Sequence, residues 1–265
     1  MAERVITNIK GHVAEVFLNR PEKMNALDPL MFSAITEAGE ALKSNPDVRV
    51  VILSAEGDHF CAGIDTSTFG DLVARIDQVR HDLVNPAAGE VANSFQKPSH
   101  VWQELDVPVI AAVKGTCFGG GAQIALSADF RFAAPDLRFS VMEARWGLIP
   151  DMGITQSLPK LLRADQAKDL MMTARILDAD EALSLGLVTR LADDPLQAAR
   201  DYAQELLRRS PEVLTGAKKL VDQTWTAAPG DGLKLEAELQ SRIIGFPNQV
   251  EAVMSTMQKR PPNYS

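Results

Sequence analysis

Histidine and cysteine, the side chains that most often hold transition metals, are scarce in this sequence. The 265 residues include four histidines and two cysteines. Cys61 and Cys117 lie far apart in the sequence and the histidines form no cluster, so no metal-ligand spacing is present. We therefore expect neither a metal site nor a disulfide framework, and the low cysteine content favours a reducing, cytoplasmic setting.

Long apolar runs are missing as well. No stretch approaches the roughly 20 apolar residues that a membrane-spanning helix requires. Residues 1–4 lead directly into a strand-like pattern and show none of the apolar region of a secretory signal. These absences predict a protein without a membrane segment.

The sequence also lacks an excess of positive charge. Its formal net charge of −8 argues against non-specific binding of nucleic acid, which relies on a basic surface. A phosphate-bearing small ligand is not excluded, because a few local cations or backbone N–H groups can hold it. Hydrophobic residues make up 46% and charged residues 23%, which is typical of a globular protein with one large core.

Hydrophobic patterns predict an α/β fold of stacked ββα-like units. The predicted strands are residues 12–18, 48–53, 107–113 and 130–133, and the predicted helices include 29–43, with Asp28 as its N-cap, and 122–128. Residues 71–105 are polar and indicate a helical excursion over the core. From residue 195 onward the pattern is almost entirely helical, so we place a core domain at 1–190 and a helical region at 191–265.

Two glycine-bearing segments, residues 57–65 and 115–121, follow predicted strands. Neither fits a dinucleotide fingerprint or a phosphate-binding loop with its Gly-Lys-Ser/Thr ending. Backbone N–H groups at the start of the helix after Gly119-Gly120-Gly121 would be unpaired and at its positive end. Two such N–H groups aimed at one oxygen form an oxyanion hole, although each segment alone could also be an ordinary tight turn.

The sequence resembles the crotonase family of enoyl-CoA hydratases and isomerases over nearly its full length. The matching motifs are Asn19-Arg20-Pro21, Asn25-Ala26-Leu27, Phe60-Cys61-Ala62-Gly63-Ile64-Asp65, residues 108–113, Gly119-Gly120-Gly121, Asp129, Glu143, residues 147–153, Ala182, Gly186-Leu187-Val188 and Lys259-Arg260-Pro261. The resemblance implies a crotonase-like spiral of ββα units, with C-terminal helices that build a homotrimer or a hexamer made of two trimers.

The resemblance also implies how an acyl-CoA thioester would be held. The N–H groups of Ile64 and Gly120 would form the oxyanion hole, and backbone near Lys23, Ala62, Ile64 and Asp65 would hold the CoA. In this family CoA is part of the substrate, so no separate cofactor is expected. Residues 66–105 are expected to line the acyl pocket.

The acidic residues depart from the hydratase pattern. A hydratase of the family has one Glu three residues after the middle glycine and another twenty residues later; here Gln123 occupies the first position and Glu143 the second. Gln can hold water but cannot exchange a proton at neutral pH. Asp151 is a third candidate, spaced from Glu143 as in the family's dienoyl-CoA isomerases, although it could equally cap a helix.

These residues favour double-bond isomerisation, with Glu143 moving a proton along the acyl chain and Asp151 as its partner. Hydration of a 2-enoyl-CoA is the main alternative. A protein that binds acyl-CoA without turning it over, or one with other thioester chemistry such as decarboxylation, dehalogenation or hydrolysis, also fits. We expect Asp129 to anchor backbone, and Cys61 and Cys117 to be small buried residues and not nucleophiles.

Overall fold

A six-stranded sheet lies at the centre of the computed structural model, which describes residues 3–68, 70 and 74–265. Its strand order is β1-β2-β3-β4-β6-β8, and β1 and β2 form an antiparallel hairpin while the other neighbours are parallel. The strands are β1 Val5–Lys10, β2 Val13–Leu18, β3 Val50–Ala55, β4 Val109–Val113, β6 Phe130–Ala133 and β8 Arg190–Leu191.

A second, two-stranded parallel sheet pairs β5 (Thr116–Phe118) with β7 (Arg138–Ser140). It continues from the central sheet, because β5 follows β4 after only two residues. Its position matters for function, since β5 leads directly into the triple glycine.

The described residues also form eleven α-helices and four short 3-10 helices. The α-helices are α1 Pro29–Lys43, α2 Ile76–Val84, α3 Lys97–His100, α4 Gly120–Leu126, α5 Leu158–Leu161, α6 Ala164–Thr173, α7 Ala179–Ser184, α8 Pro195–Leu207, α9 Pro211–Thr224, α10 Pro229–Ser241 and α11 Pro247–Gln258. The 3-10 helices are Pro21–Lys23, Thr66–Thr68, Glu143–Trp146 and Ile154–Gln156.

Both faces of the central sheet are covered, which is why its inner strands are continuous apolar runs in the sequence. On one face, Val51 and Leu53 of β3 belong to the large core cluster that includes side chains of α1 and α4. On the other face, Val50 and Ile52 pack in a smaller cluster with Ala199 and Ala203 of α8. Helix α8 therefore forms one side of the sheet's core.

Two polar anchors predicted from the sequence are confirmed. Asp28 caps α1 by accepting a hydrogen bond from the Met31 N–H at 2.8 Å, and it also forms an ion pair with Arg4 at 2.7 Å. Asp129 accepts a hydrogen bond from the Val109 N–H at 2.7 Å and is paired with Lys218. These carboxylates hold backbone in place and lie outside the lining of the candidate site.

Several boundaries differ from the sequence predictions. The helix predicted at 122–128 begins at Gly120, because the strained backbone is confined to Gly119, whose φ is +52°. Strand β1 agrees with the strand-like pattern expected after residues 1–4, but its bounds were not predicted, since most of its residues are exposed and lack the pattern of a buried strand. Among the described residues of the segment 71–105, α2 and α3 are helical and much of the remainder is not; residues 1–2, 69 and 71–73 lie outside the described part.

Two further absences concern the described residues alone. None of their helices is long and apolar enough to cross a membrane. No group of three His, Cys, Asp or Glu side chains within the same residues comes close enough to hold a metal ion.

Candidate functional site

A mostly apolar cavity of about 400 Å³ lies beside the two glycine segments. Its described lining consists of Leu27, Phe32, Ala62, Gly63, Ile64, Thr66, Ile76, Val79, Arg80, Leu83, Phe95, Gly119, Gly120, Met142, Glu143, Trp146, Leu148, Asp151 and Met152. Apolar walls with a few polar groups are typical of a small-molecule site. The cavity therefore brings together most of the residues singled out in the sequence.

The two glycine segments run side by side along this cavity. Cys61 and Cys117 form a parallel bridge, in which the Cys61 N–H donates to the Thr116 carbonyl at 3.0 Å and the Phe118 N–H donates to the Cys61 carbonyl at 2.9 Å. Gly63 has a φ of +86°, and a Cβ there would lie 2.9 Å from the Phe118 carbonyl oxygen. Only glycine fits such a close approach without displacing the neighbouring strand end.

Ile64 and Gly120 both line the cavity. Around Ile64, the Leu27 N–H donates to the Gly63 carbonyl and the Asp65 N–H donates to the Leu27 carbonyl, so this bridge does not use the Ile64 N–H. Gly120 is the first residue of α4, where an N–H has no partner within the helix. Among the described residues neither N–H meets an acceptor, so both can donate to a ligand oxygen.

Glu143 lies beside Gly119, the residue before Gly120. Its Oε1 accepts a hydrogen bond from Gln123 Nε2 at 2.7 Å, and a Cβ on Gly119 would lie 3.4 Å from the same oxygen. Its second oxygen, Oε2, is buried and has no hydrogen-bond partner among the described residues. Burial raises the pKa of Glu143, the hydrogen bond from Gln123 opposes that change, and the nearby charge of Asp151 adds to it.

Gln123 lies behind Glu143, and it is not among the described residues that line the cavity. Its side chain is buried, because Nε2 donates to Glu143 while Oε1 accepts from the Met152 N–H at 2.8 Å. Gln123 thus orients Glu143 and fixes the loop at Met152.

Asp151 lines the cavity at its exposed edge. Partial burial raises the pKa of its carboxyl group. The next helix begins at Ile154 and has Gly153 as its N-cap, so Asp151 does not cap it. Asp151 and Glu143 form the acidic part of the described lining, and their side chains influence each other electrostatically.

The residues expected to hold CoA lie together but differ in what they can offer. The Ala62 N–H donates to the Met24 carbonyl at 2.9 Å, which joins the segment after Lys23 to the first glycine segment. Lys23 is exposed, and it is not among the described residues that line the cavity. Because the amides of Ala62 and Asp65 are used internally, CoA would meet carbonyl oxygens or side chains here.

The carboxylate of Asp65 is part of the protein's own structure. It accepts hydrogen bonds from the Ser67 N–H and hydroxyl, and it forms an ion pair with Arg20 at 2.7 Å. The pKa of Asp65 is lowered to about 2, chiefly by the hydrogen bond from the Ser67 hydroxyl and then by Arg20. Asp65 therefore stays charged at neutral pH and holds the turn that carries Ile64.

Cys61 and Cys117 lie beneath the glycine segments and are fully buried. Burial raises the pKa of the Cys61 thiol to about 12 and also raises that of Cys117. Thiols with such pKa values are poor nucleophiles, which agrees with the prediction that both are small core residues.

Sequence reasoning missed Met152 and Arg80. Met152 donates its N–H to Gln123, and its Sδ would lie 2.6 Å from a Cβ on Gly120, so it closes the space beside the helix start. Arg80 lies on α2 in a segment whose pattern was too weak to assign. The spacing of Arg80 from Ile76 and Leu83, four and three residues, could have indicated that all three share one helical face.

Comparisons with known proteins agree with the geometry. The family model described as Enoyl-CoA hydratase/isomerase matches residues 8–265. The chain is 29% identical to the peroxisomal Delta(3,5)-Delta(2,4)-dienoyl-CoA isomerase of Arabidopsis thaliana, over 99% of this chain and 96% of that protein. It is 31% identical to the mitochondrial methylglutaconyl-CoA hydratase of Mus musculus, over 93% of this chain and 77% of that protein.

A solved structure shares the fold. The crystal structure of an enoyl-CoA hydratase from Polaromonas sp. JS666 matches with a TM-score of 0.88 and 28% identity, over 98% of this chain and 99% of that chain. This match confirms the mixed α/β fold predicted from the sequence.

Proposed function

This chain belongs to the enoyl-CoA hydratase/isomerase family, and we propose that it shifts a double bond within an acyl-CoA thioester. The observation that carries the proposal is that Glu143 lines the cavity together with Ile64 and Gly120, while its buried Oε2 and the amides of those two residues have no hydrogen-bond partner among the described residues. Such a site can hold a carbonyl oxygen while one carboxylate moves a proton next to it.

The two amides would stabilise the charge that develops on the thioester oxygen. When a base removes a proton from the acyl chain, electron density moves to the carbonyl oxygen and gives an enolate. The N–H groups of Ile64 and Gly120 would each donate to that oxygen. Loss of one such donor typically lowers the rate by about 10² to 10³-fold.

Glu143 would act as the base and then as the acid. It would take a proton from one carbon of the acyl chain, the double bond would shift through the enolate, and the proton would return to another carbon. Its raised pKa suits this role, because a carboxyl group nearer neutrality both accepts and releases a proton readily. Asp151, the second acidic residue of the described lining, would be the second proton carrier.

Gln123 is the reason to prefer isomerisation over hydration. Hydration needs two groups that hold a water molecule and exchange protons with it. Both polar ends of the Gln123 side chain are already used, by Glu143 and by the Met152 N–H. The second proton-exchanging group would therefore have to be Asp151.

Hydration of a 2-enoyl-CoA remains the second candidate. Glu143 and Asp151 are both acidic, influence each other, and line one cavity, so they could hold a water molecule between them. The names of the relatives point both ways, since one is a dienoyl-CoA isomerase and the other a hydratase. In a protein that only binds acyl-CoA, Glu143 and Asp151 would transfer no protons.

A spectrophotometric assay of the purified protein tests the proposal. Matched 2-enoyl-, 3-enoyl- and 3,5-dienoyl-CoA thioesters would be supplied separately, with the products identified by chromatography. We expect isomerised products from the 3-enoyl or 3,5-dienoyl substrate. Rapid hydration of crotonyl-CoA without any isomerisation would contradict the proposal, and tight binding without turnover of all three would support the binding-protein alternative.

The remaining features of the proposal come from family membership. We propose that CoA enters as part of the substrate, that its binding uses the segment near Lys23, Ala62 and Asp65, and that no separate cofactor is needed. We also propose a homotrimer or a pair of trimers. A cytoplasmic location is proposed on a different ground, the low cysteine content of the sequence.

A further inference from the structure

One side of the candidate cavity is formed by a single face of α2. Ile76, Val79, Arg80 and Leu83 line it at spacings of three and four residues, which place them on one helical stripe. Phe95 continues this wall. Arg80 therefore interrupts an otherwise apolar stripe with a permanent positive charge.

The charge of Arg80 is weakly compensated within the protein. Its ion-pair contact is with Asp77 at 3.7 Å, longer than a hydrogen bond, and the two side chains are 72% and 97% exposed. Within the described part of the chain, Arg80 pairs with neither Glu143 nor Asp151. The guanidinium thus has hydrogen-bond donors free for a ligand.

The signs of the charges in the cavity restrict where an anionic substrate group can lie. Glu143 and Asp151 would repel a carboxylate, and Arg80 is the one cation among the described lining residues. A carboxylate is the group that an arginine fork fits with two parallel hydrogen bonds.

We propose that Arg80 determines substrate specificity by binding a carboxylate at the far end of the acyl chain, so that the protein acts on acyl-CoA thioesters of dicarboxylic acids. This inference rests on the proposed function, because the thioester end must lie at the Ile64 and Gly120 amides. The apolar stripe of Ile76, Val79 and Leu83 would hold the methylene groups between the two ends. Arg80 would take no part in moving protons.

Saturated thioesters test this inference without any need for turnover. Calorimetry would measure the binding of adipyl-CoA against hexanoyl-CoA and of suberyl-CoA against octanoyl-CoA, which differ only in a terminal carboxylate or methyl group. Arg80→Met keeps the length and much of the apolar surface of the side chain but removes its charge. We expect it to weaken binding of the carboxylate-ended thioesters by about tenfold and to leave the methyl-ended ones unchanged.

Three further variants separate charge from shape and position. Arg80→Lys should keep most of the preference, while Arg80→Glu should reverse it in favour of the methyl-ended thioesters. Arg75→Met is the matched control, because Arg75 precedes α2 and is not among the described lining residues. It should change neither affinity, and circular dichroism would verify that all variants are folded.

Free CoA provides the decisive comparison. If Arg80→Met weakens free CoA as much as the carboxylate-ended thioesters, the arginine binds a CoA phosphate and the inference is wrong. Equal effects on both members of each pair, or no effect on either, would also overturn it. If the wild-type protein turns over neutral enoyl-CoA thioesters without discriminating between the pairs, only this inference fails. If it binds neither CoA nor any thioester, the proposed function fails too.

Discussion

Glu143 combines a catalytic type of side chain with an unusual environment. One of its oxygens is bound by Gln123 and the other is buried without a partner among the described residues. An unpaired buried oxygen is costly unless a ligand or a proton completes it. This arrangement agrees with a carboxylate that accepts a proton from the substrate.

Replacing Glu143 by Gln tests its role directly. Glu143→Gln keeps the shape of the side chain but removes the proton-exchanging group, so turnover should fall by about 10² to 10⁴-fold. Binding of a saturated acyl-CoA, measured by calorimetry, should be retained. Glu37→Gln on the exposed side of α1 is the control and should leave both quantities unchanged. Full turnover by Glu143→Gln would remove Glu143 from the mechanism.

The pH dependence of turnover should reveal the influence of Asp151 on Glu143. The pKa of Glu143 is raised, so its neutral form persists to higher pH and the base is lost as the pH falls through that raised value. In Asp151→Asn the repelling charge is gone and the pKa of Glu143 should fall. The acid limb of kcat/KM against pH should then move to lower pH. Asp106→Asn, an exposed control, should not move it, and an unmoved limb in Asp151→Asn would contradict the coupling.

Gln123→Glu should convert the site toward hydration. A Glu at this position can still accept the hydrogen bond from the Met152 N–H, while adding a second carboxyl group next to Glu143. Hydration of crotonyl-CoA should rise by at least about tenfold, since a positioned acid or base contributes strongly to proton transfer. Gln156→Glu on the exposed surface is the control. Unchanged hydration would indicate that Gln123 does not separate the two activities.

At the scale of elements, the paired glycine segments position the amides. The bridge between Cys61 and Cys117 brings the two chain segments together, and Gly63 permits their close contact. The Asp65 ion pair with Arg20 holds the end of the first segment. Each amide therefore depends on hydrogen bonds and packing around it, as well as on its own residue.

Gly63→Ala should lower turnover by more than backbone strain alone would cause, because the substitution also disturbs the contact between the two glycine segments. An alanine in this left-handed backbone conformation costs about 1–2 kcal/mol, and the Cβ would also press on the Phe118 carbonyl. We expect turnover to fall by about 10² to 10³-fold, as for the loss of an oxyanion donor. Gly89→Ala has the same φ of +86° and no atom within 4 Å, so urea unfolding should show its strain while turnover stays unchanged. Equal turnover in both variants would contradict the role of the Gly63 turn.

At the scale of the whole molecule, the C-terminal helices leave many apolar side chains exposed. On α9, α10, α11 and their connections these include Val221, Trp225, Leu233, Ile244, Phe246, Val250, Val253 and Met257. An apolar surface of this kind marks a protein–protein interface. It supports the proposed trimer, and the division of the chain near residue 190 stays a prediction.

Light scattering coupled to size exclusion tests the assembly. We expect a mass of three or six chains for the wild-type protein. The double variant Phe246→Glu/Met257→Glu places charges on this surface and should yield a smaller species, whereas Val91→Glu, also at a strongly exposed position, should not change the mass. A monomeric wild-type protein would contradict the proposal.

The sequence alone determined the family, the α/β fold and the residue types of the site. Buried β-branched runs predicted the inner strands because strands covered on both faces must be apolar throughout. Glycines beside Ile64 and Gly120 predicted close backbone approach, because only glycine tolerates it. These features follow from local chemistry and from motifs that keep their order along the chain.

Only the tertiary structure decided how these residues meet. The position of Gln123, three residues after the middle glycine, did not reveal its partners: its side chain is buried and its two polar ends bind Glu143 and the Met152 N–H. Arg80 lines the cavity because the apolar stripe of α2 lies there. The sequence pattern of this segment was too weak to assign the bounds of α2. Contacts between residues far apart in sequence depend on packing, and a local pattern carries no information about which partner a side chain will reach.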